Sequence, residues 1–508
     1  MNSRYLYSRY DPRKQTERFV EARIRAYHGS DGHHPQCVIV ISEGLGYIED
    51  ACARLLPECE LVSIHLSKTL SSPLTREGSH TLVLGRATGE DAQCSAAEFS
   101  ESRFEALISH LDVSGLLVIE WEPSCVAFRH EYETARDAVE RVVRRRAADT
   151  ATVRRWGRLW IRNTLRNCTR GPLATQLPSF DRRPTLVVCP GPSALETVEA
   201  LARSPRKPVI VAVASALELL SSFAIKPEII VHTDAGFYST LHFRDAWNTL
   251  SASMARFHLV MPLTAAPPPV PFRGNAHTTT VISGNSHVEN TVLKAAGLSA
   301  RSIPEAGTVT TTALRIASMV SEGPRFVSGL DLCFDDIRHH ASPHAFDTFL
   351  AVNTDRFTTE VTSRWTRAMD THPSRDTRIR RADNLDLYAE WFRSHRGEFA
   401  SVRRVNPSEI DTGMQPASIT QLLETVDSAG NEGAATASSR NSDEALDAAT
   451  TPALSRKEVE AHLLIAAGVP RSGNSDPVFR RELARWLNVD NDSTAIREAL
   501  SSLHDLPG

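Results

Sequence analysis

Short apolar, β-branched runs alternate with amphipathic segments between residues 185 and 236. The runs 185–189, 208–213 and 228–232 have the length and composition of buried strands, and the segments between them have helical periodicity. This alternation predicts a parallel, Rossmann-like α/β sheet. Ligands bind at the carboxyl ends of parallel strands, so we expect Ser193, Ser215 and Asp234, which follow the three runs, to be neighbours in space.

The turn after the first run has the composition of a phosphate-binding turn. It consists of Pro190, Gly191, Pro192 and Ser193, and a helical pattern starts directly after it. Gly191 permits tight backbone geometry, and Ser193 with Glu196 matches the S-x-x-E capping box. We therefore expect unpaired backbone N–H groups at this helix N-terminus, where an anion would bind.

The N-terminal part predicts a second α/β domain, over residues 1–130. Its strand candidates are 37–42, 60–66, 81–84 and 115–121. The first strand is followed by Gly44-Leu45-Gly46, which lacks the third glycine of a dinucleotide-binding fingerprint. A tight strand-to-helix turn is the favoured interpretation, and cofactor binding is the alternative.

Residues 131–178 predict a helical connector rich in arginine. A nucleic-acid-binding stripe is one interpretation, but acidic residues are interleaved and valines and tryptophans supply an apolar face, which favours a solvated helix packed on its neighbour. Asn163 and Asn167 share one face of this helix. They either hydrogen-bond nearby loops or point to solvent.

The α/β alternation continues beyond Asp234 and completes a predicted central α/β domain over residues 179–350. Strands are expected at 257–262, 279–283 and 325–329, and helices at 285–296 and 308–320. Thr308 stands at a helix start, either as a cap or as a ligand, and capping is favoured. The last strand leads into Ser328, Gly329, Leu330 and Asp331.

Several motifs in this order are those of one known family. They are CPGPSALE (189–196), VAVASALELL (211–220), IKPEIIVHTDAG (225–236), and SGLDLCF (328–334) followed by HHASPH (339–344). This set resembles the bacterial motility-associated factor (Maf) glycosyltransferases, whose central domain is similar to bacterial sialyltransferases. The resemblance covers most of residues 5–425. It implies transfer of a nonulosonic, sialic-acid-like sugar from a CMP-activated donor to serine or threonine hydroxyls of flagellin.

The resemblance also implies roles for individual residues. His340 is expected to be the general base, although His339 and His344 stay open as alternatives, and Asp331 is expected to orient the base or contact donor hydroxyls. The alternative role of Asp331 is to stabilise a turn or to act as a cap at the end of the strand. The expected nucleotide-sugar-binding residues are Gly191, Pro192, Ser193, Ser215, Asp234, Thr308, Ser328 and Gly329.

Metal-independent transfer is expected. Thr233-Asp234-Ala235-Gly236 offers one carboxylate, whereas metal-dependent glycosyltransferases use an Asp-x-Asp pair, and no cofactor beyond the donor is implied.

The amino-acid composition indicates an ordinary globular protein and identifies no substrate. The 508 residues are 41% hydrophobic and 23% charged with a net charge of −4, as in a globular protein without a general attraction to nucleic acid or anionic membrane. The 8 cysteines show no zinc-ligand spacing, and the start of the chain has no apolar signal-peptide region. We expect a cytoplasmic protein with neither nucleic-acid nor membrane partners.

Residues 351–425 are predicted to complete the catalytic module. Residues 426–453 are small, polar and acidic, which predicts a disordered linker, and residues 454–508 predict a small helical appendage. Two other functions stay open. One is a diphosphokinase related to the archaeal hydroxymethylpterin enzymes, and the other is a flagellin-binding assembly factor without catalytic activity.

Overall fold

The computed structural model of the protein divides into two compact units, residues 1–155 and 156–508. It describes residues 5–28, 35–42, 45–67, 79–84, 97–109, 111, 113–170, 172–244, 246, 257–268, 277–284, 286–304, 306–376, 378–433, 455–467 and 477–503. Within these residues, no helix combines the length and the apolar character needed to cross a bilayer.

The first unit contains a five-stranded parallel sheet in the order β4-β3-β2-β1-β5, which confirms the α/β prediction. Its strands are β1 (Cys37–Ser42), β2 (Glu60–His65), β3 (Ser79–Val83), β4 (Ala97–Glu98) and β5 (Leu116–Glu120). Its helices are α1 (Pro12–His28), α2 (Tyr47–Leu55), α3 (Glu101–Ile108) and α4 (Glu122–Ala127). Both faces of β1, which lies between β2 and β5, are buried, as its continuous apolar sequence predicts.

Tyr7 packs at the carboxyl ends of β1 and β5. Its ring stacks on Trp121, which follows β5, with centroids 5.5 Å apart, and meets Tyr47 at the start of α2 edge-on at 5.2 Å. The Trp121 indole also donates to the Leu6 carbonyl over 2.9 Å. Since the order reverses between β1 and β5, Tyr7 occupies the ligand-binding position of such a sheet. This favours the tight-turn interpretation of the nearby glycines, of which Gly44 lies outside the described residues.

Helix α5 (Arg129–Cys168) begins in the first unit and ends in the second. Its arginines bind acidic side chains of α3, with Arg141 to Glu101 at 2.7 Å and Arg145 to Glu105 at 2.8 Å. Its Val142 is fully buried. These contacts match the predicted connector helix, solvated on one side and packed on the other.

The second unit is built on a nine-stranded parallel sheet in the order β11-β10-β9-β8-β7-β6-β12-β16-β17. The strands are β6 (Thr185–Val188), β7 (Val209–Val213), β8 (Ile229–Val231), β9 (Phe257–Pro262), β10 (His277–Ser283), β11 (Arg301–Ser302), β12 (Arg325–Ser328), β16 (Val402–Val405) and β17 (Gln415–Ala417). The predicted strands up to residue 329 are confirmed within two residues at each end. The sequence analysis missed β16 and β17 because both are short, and β16 has arginines at its two central positions.

Helices flank this sheet, and the strands that follow β12 in the chain form a small separate antiparallel sheet. The helices are α6 (Ala194–Arg203), α7 (Leu217–Ser222), α8 (Leu241–Arg244), α9 (His287–Ala295), α10 (Val309–Val320), α11 (Ala345–Val352), α12 (Glu360–Met369), α13 (Asp383–Ser394) and α14 (Ile419–Gly433). The small sheet has the order β13 (Phe334–Asp335), β15 (Ile379–Arg381) and β14 (His372–Pro373). The core lies between the large sheet and its helices and includes Phe326 and Phe392, both fully buried.

The C-terminal part contains α15 (Arg456–Ala466), α16 (Pro477–Leu487) and α17 (Ser493–Ser502), as predicted for a helical appendage. The predicted capping box of Ser455 and Glu458 is present. The predicted linker start at 426 is wrong, because α14 continues to Gly433. The remainder of the predicted linker, residues 434–453, lies outside the described residues.

Candidate functional site

Strands β6 and β12 form the switch point of the large sheet. From β6 the chain adds strands in one direction as far as β11 and then returns to place β12 on the other side of β6. A crevice at the carboxyl ends of β6 and β12 is the expected ligand position in such a sheet. The turn around Gly191 follows β6 there, and Gly329 follows β12. Because β6, β7 and β8 are consecutive parallel neighbours, the prediction that the three strands end at one sheet edge is confirmed. The closeness of Ser193, Ser215 and Asp234 to one another stays a prediction.

The two turns at the switch point touch through glycine backbone. Gly191 N donates to Gly329 O over 3.0 Å. A Cβ atom on Gly191 would lie 2.3 Å from that oxygen, and one on Gly329 would lie 2.2 Å from Cys189 O. Gly329 also has a φ of 74°, in the left-handed region. Glycine is therefore required at both positions for this approach.

Asp331 binds the turn of the neighbouring strand. Its carboxylate accepts the Ser193 backbone N–H over 2.8 Å and the Ser193 hydroxyl over 2.7 Å, and the residue is only 3% exposed. Burial raises the pKa of Asp331 above its usual value, while the two Ser193 hydrogen bonds and Arg404 act in the opposite direction. Two residues that the sequence analysis predicted separately, Asp331 and Ser193, are thus in direct contact.

The predicted anion cradle of free backbone N–H groups is wrong for this turn. Pro190 and Pro192 have no N–H, Gly191 N and Ser193 N donate as described, and Ala194 N donates to Gly191 O over 3.0 Å. The capping box is wrong as well, since the Ser193 side chain caps no backbone N–H of α6. The physical reason is the Asp331 carboxylate, which arrives from β12 and takes both Ser193 donors.

Arg404 on β16 completes a buried network that the sequence analysis did not find. Its guanidinium, 3.9 Å from the Asp331 carboxylate, donates to Ser408 Oγ over 2.6 Å and to Ile410 O over 2.5 Å. Ser408 Oγ in turn donates to Asp331 O over 2.8 Å. The available signal was the position of Arg404 between apolar residues of a short run, because a buried arginine needs a carboxylate partner.

A histidine cluster lies beside the turn. Ala341 N donates to Pro190 O over 2.7 Å, which holds the segment 339–344 against the turn. The rings of His339 and His340 are 3.8 Å apart, and those of His340 and His344 are 4.2 Å apart. His242 of α8, which the sequence analysis did not identify, joins the cluster at 5.4 Å from His344.

The ring nitrogens distinguish His340 from His344. His344 Nδ1 accepts Phe346 N over 3.2 Å and caps α11, so its lone pair is occupied and the neutral ring carries its proton on Nε2. His340 makes no hydrogen bond to any described residue and is partly exposed. Of these two histidines, His340 is the one with a lone pair available for a substrate proton.

The cluster is neutral near pH 7. Burial lowers the pKa of His339 to about 4 and that of His344 to about 3. The pKa of His340 falls well below its usual value, first because of burial and then because of the neighbouring histidines and Arg367. Burial gives most of this result, and adjacent imidazoles that cannot all be charged add to it.

The other sequence-predicted residues occupy different positions around the crevice. Asp234 is exposed, accepts Gly236 N over 2.8 Å and raises the pKa of His242 against the stronger effect of burial. Ser215 lies in the turn after β7. Thr308 caps α10 by accepting Thr310 N over 3.1 Å, which confirms the favoured interpretation. The Ser328 side chain faces the core, where its hydroxyl donates to Thr197 over 2.8 Å.

Two asparagines of α5 hold the loops that follow β8 and β9. Asn163 donates to Ala235 O and Thr264 O over 3.1 and 3.0 Å, and Asn167 donates to the carbonyls of Leu263 and Ala265. The loop-binding interpretation of both residues is confirmed. Within the described part of the chain, no group of three or more histidine, cysteine or acidic side chains is arranged to hold a metal ion.

Comparison with known proteins agrees with this architecture. Residues 160–336 match the family model described as "6-hydroxymethylpterin diphosphokinase MptE-like", a segment that contains the switch point and Asp331. The chain is also similar in fold to a solved Maf glycosyltransferase from Magnetospirillum magneticum AMB-1, with a TM-score of 0.54 and 12% identity over 99% of this chain and 83% of that one. The fold that the motif resemblance implies is therefore confirmed.

One curated relative from Treponema pallidum (strain Nichols) is described as an uncharacterized protein. It is 25% identical over 327 residues, which are 63% of this chain. The chain spans 65% of that relative's length. This similarity extends the comparison to a second bacterium without assigning an activity.

Proposed function

We propose that this protein is a glycosyltransferase that moves a nonulosonic sugar from a CMP-activated donor to serine or threonine hydroxyls of flagellin. The fold shared with a Maf glycosyltransferase supports the transferase class. The sugar, the CMP donor and the flagellin acceptor rest on the family resemblance of the sequence motifs. The observation that carries the proposal is His340, which lies next to the switch-point turn with no hydrogen bond to any described residue.

In the proposed reaction, the acceptor hydroxyl oxygen forms a bond to the anomeric carbon of the sugar. The bond between that carbon and the CMP phosphate oxygen breaks, and its electron pair stays on the phosphate, which leaves as CMP. The hydroxyl proton passes to a ring nitrogen of His340. A neutral histidine is the required form of a base, and the lowered pKa keeps His340 neutral near pH 7.

Asp331 has a supporting role in this proposal. Its carboxylate already accepts two hydrogen bonds from Ser193 and faces Arg404. It therefore fixes the turn against which segment 339–344 is held, rather than taking a proton from the acceptor. This is the orienting role that the sequence analysis allowed, exerted through the backbone.

Intact-mass measurement of flagellin tests the function. Flagellin is co-expressed with this protein and a pathway that makes a CMP-activated nonulosonic acid. We expect mass increases in sugar-sized steps with the wild type and a loss of at least about 100-fold with His340→Ala, the usual scale of a general base. His372→Ala is the matched control, since that side chain is 75% exposed.

Two outcomes would contradict the proposal. Flagellin that binds the protein without any mass increase would favour the assembly factor. A reaction that consumes ATP with magnesium and needs no CMP-sugar would favour the diphosphokinase, whose name the family model carries.

A further inference from the structure

The proposed reaction needs a positive group near the departing nucleotide phosphate. A departing nucleotide phosphate gains negative charge, and enzymes stabilise that charge with N–H donors or cations. The turn at Gly191 has no backbone N–H to offer, because those of Gly191, Ser193 and Ala194 are all donated within the protein. The histidine cluster is neutral at the working pH.

Most arginines around the cluster are already paired. Arg404 is 3% exposed and bound in the Asp331 network. Arg364 of α12 binds Asp347 of α11 and Glu360 of its own helix, the latter at 2.7 Å. Arg378 binds Asp335 at 3.1 Å, and Arg381 binds Asp386 at 2.9 Å. The positive charges of these arginines are therefore already paired with carboxylates of the protein.

Arg367 differs from these arginines. It is exposed and makes no hydrogen bond or ion pair with any described residue. It stands three positions after Arg364, so the two side chains project from the same face of α12, with Cβ atoms roughly 5–6 Å apart. Burial is the main cause that lowers the pKa values of His339 and His340, and the positive charge of Arg367 lowers both further, so Arg367 lies near the two rings.

The packing of α12 directs this face toward the cluster. Asp347, the partner of Arg364, also accepts His344 N over 3.0 Å and the Ser342 hydroxyl over 2.7 Å. Arg364 is thus tied to the segment that carries the histidines. Arg367, one helical turn further along α12, is placed beside that segment with its charge unpaired.

We propose that Arg367 binds the phosphate of the nucleotide donor and neutralises the charge of the leaving CMP. The inference rests on the proposed function. A guanidinium is a positively charged donor of hydrogen bonds that suits a phosphate, so Arg367 stabilises the leaving group without moving a proton. His340 takes the acceptor proton, and Arg367 pairs with the phosphate that receives the electron pair of the broken bond.

Calorimetric binding of CMP, cytidine and free N-acetylneuraminate to the full chain tests this assignment. The wild type should bind CMP more tightly than cytidine. Arg367→Gln should weaken CMP binding by about 10- to 100-fold, the range for a hydrogen-bonded charge pair, and leave cytidine binding unchanged. Arg367→Lys should recover part of the loss. Arg375→Gln is the matched control, because Arg375 is also exposed and unpaired among the described residues.

Each contrary result has a separate meaning. Unchanged CMP binding in Arg367→Gln overturns the role of Arg367 while the proposed donor stands. Loss of N-acetylneuraminate binding with CMP binding retained assigns Arg367 to the sugar carboxylate and overturns the phosphate assignment. A wild type that binds neither CMP nor a CMP-sugar overturns the proposed donor together with this inference. Arg367 is on the surface, so an unchanged melting temperature separates these results from misfolding.

Discussion

At the scale of single residues, Asp331 shows how one side chain serves stability and the site together. A carboxylate that is 3% exposed loses its hydration, and this cost is offset by the two Ser193 donors and the nearby Arg404 guanidinium. The same bonds fix the backbone of the turn after β6. Any change at Asp331 therefore alters the fold and the crevice at once, and loss of activity alone does not identify it as a proton acceptor.

Removing the Asp331 carboxylate should destabilise the protein before any substrate is added. Asp331→Ala leaves Arg404 buried without its carboxylate, which costs about 3–5 kcal/mol of the free energy of unfolding. Ser193→Ala removes one donor to a charged acceptor and costs about 1.5–3 kcal/mol. Urea denaturation of the single and double variants measures both values.

The free energy of unfolding of the double variant should fall by clearly less than the sum of the decreases in the two single variants, because the two side chains share one interaction. Strict additivity would show that the contact between Ser193 and Asp331 does not contribute to stability.

At the scale of elements, the close approach of α16 to α5 explains where the C-terminal appendage is held within the second unit. A Cβ atom on Gly157 would lie 2.4 Å from Trp486 O, and the Trp160 and Trp486 rings meet at 5.1 Å. The Arg158 guanidinium donates to Leu487 O over 2.8 Å. A helix backbone this close leaves no space for a side chain at position 157.

Gly157→Ala should loosen α16 without unfolding the large sheet. Overpacking of this kind costs about 1–3 kcal/mol, which raises the population of a detached α16 by roughly 5- to 150-fold. Limited trypsin digestion reports it as faster cleavage at Arg480, Arg481 and Arg485.

Gly397→Ala is the control for this experiment, because a Cβ atom there meets nothing within 4 Å. Equal cleavage rates in the two variants would mean that α16 is not held by this contact.

At the scale of the whole molecule, buried neutral histidines set the response to acid. Burial lowers the pKa values of His232 and His242 to about 4, and His344 is lower still at about 3. Unfolding returns each ring to water with its ordinary pKa near 6.5. Between these values the unfolded chain binds more protons than the folded one, so stability falls as the pH falls below about 6.5.

Urea denaturation at pH 7, 6 and 5 should therefore show a declining free energy of unfolding. Each fully buried histidine contributes up to about 1.4 kcal/mol per pH unit. His344→Asn removes one titrating ring and keeps a side chain able to cap α11, so its decline should be shallower than that of the wild type.

His372→Asn, at a side chain that is 75% exposed, should decline in parallel with the wild type. If the free energy of unfolding of His344→Asn declined with pH as steeply as that of the wild type and of His372→Asn, His344 would not contribute to the acid response.

Local pattern was sufficient for much of the fold. The continuous apolar runs at β1, β6 and β7 are buried on both faces of parallel sheets, which is why their positions were predictable from residues near in sequence. Sequence also placed Ser193, Ser215 and Asp234 after three successive strands, and parallel topology then brought them to one edge. Helix caps at Thr308 and Ser455 followed from the same short-range rules.

Tertiary structure decided what those residues do. The sequence by itself determined most strands of the two large sheets, the glycines at 191 and 329 and the histidine-rich segment, because each depends on neighbours within a few positions. Only the packed sheet brings Asp331 into contact with Ser193, 138 positions away. The Ser193 N–H that was predicted to be free for an anion therefore donates to Asp331. The tertiary structure also placed Arg404 under Asp331 and Arg367 on the face of α12 beside the histidines. Contacts between residues so distant in sequence depend on strand order and helix packing, which no local pattern contains.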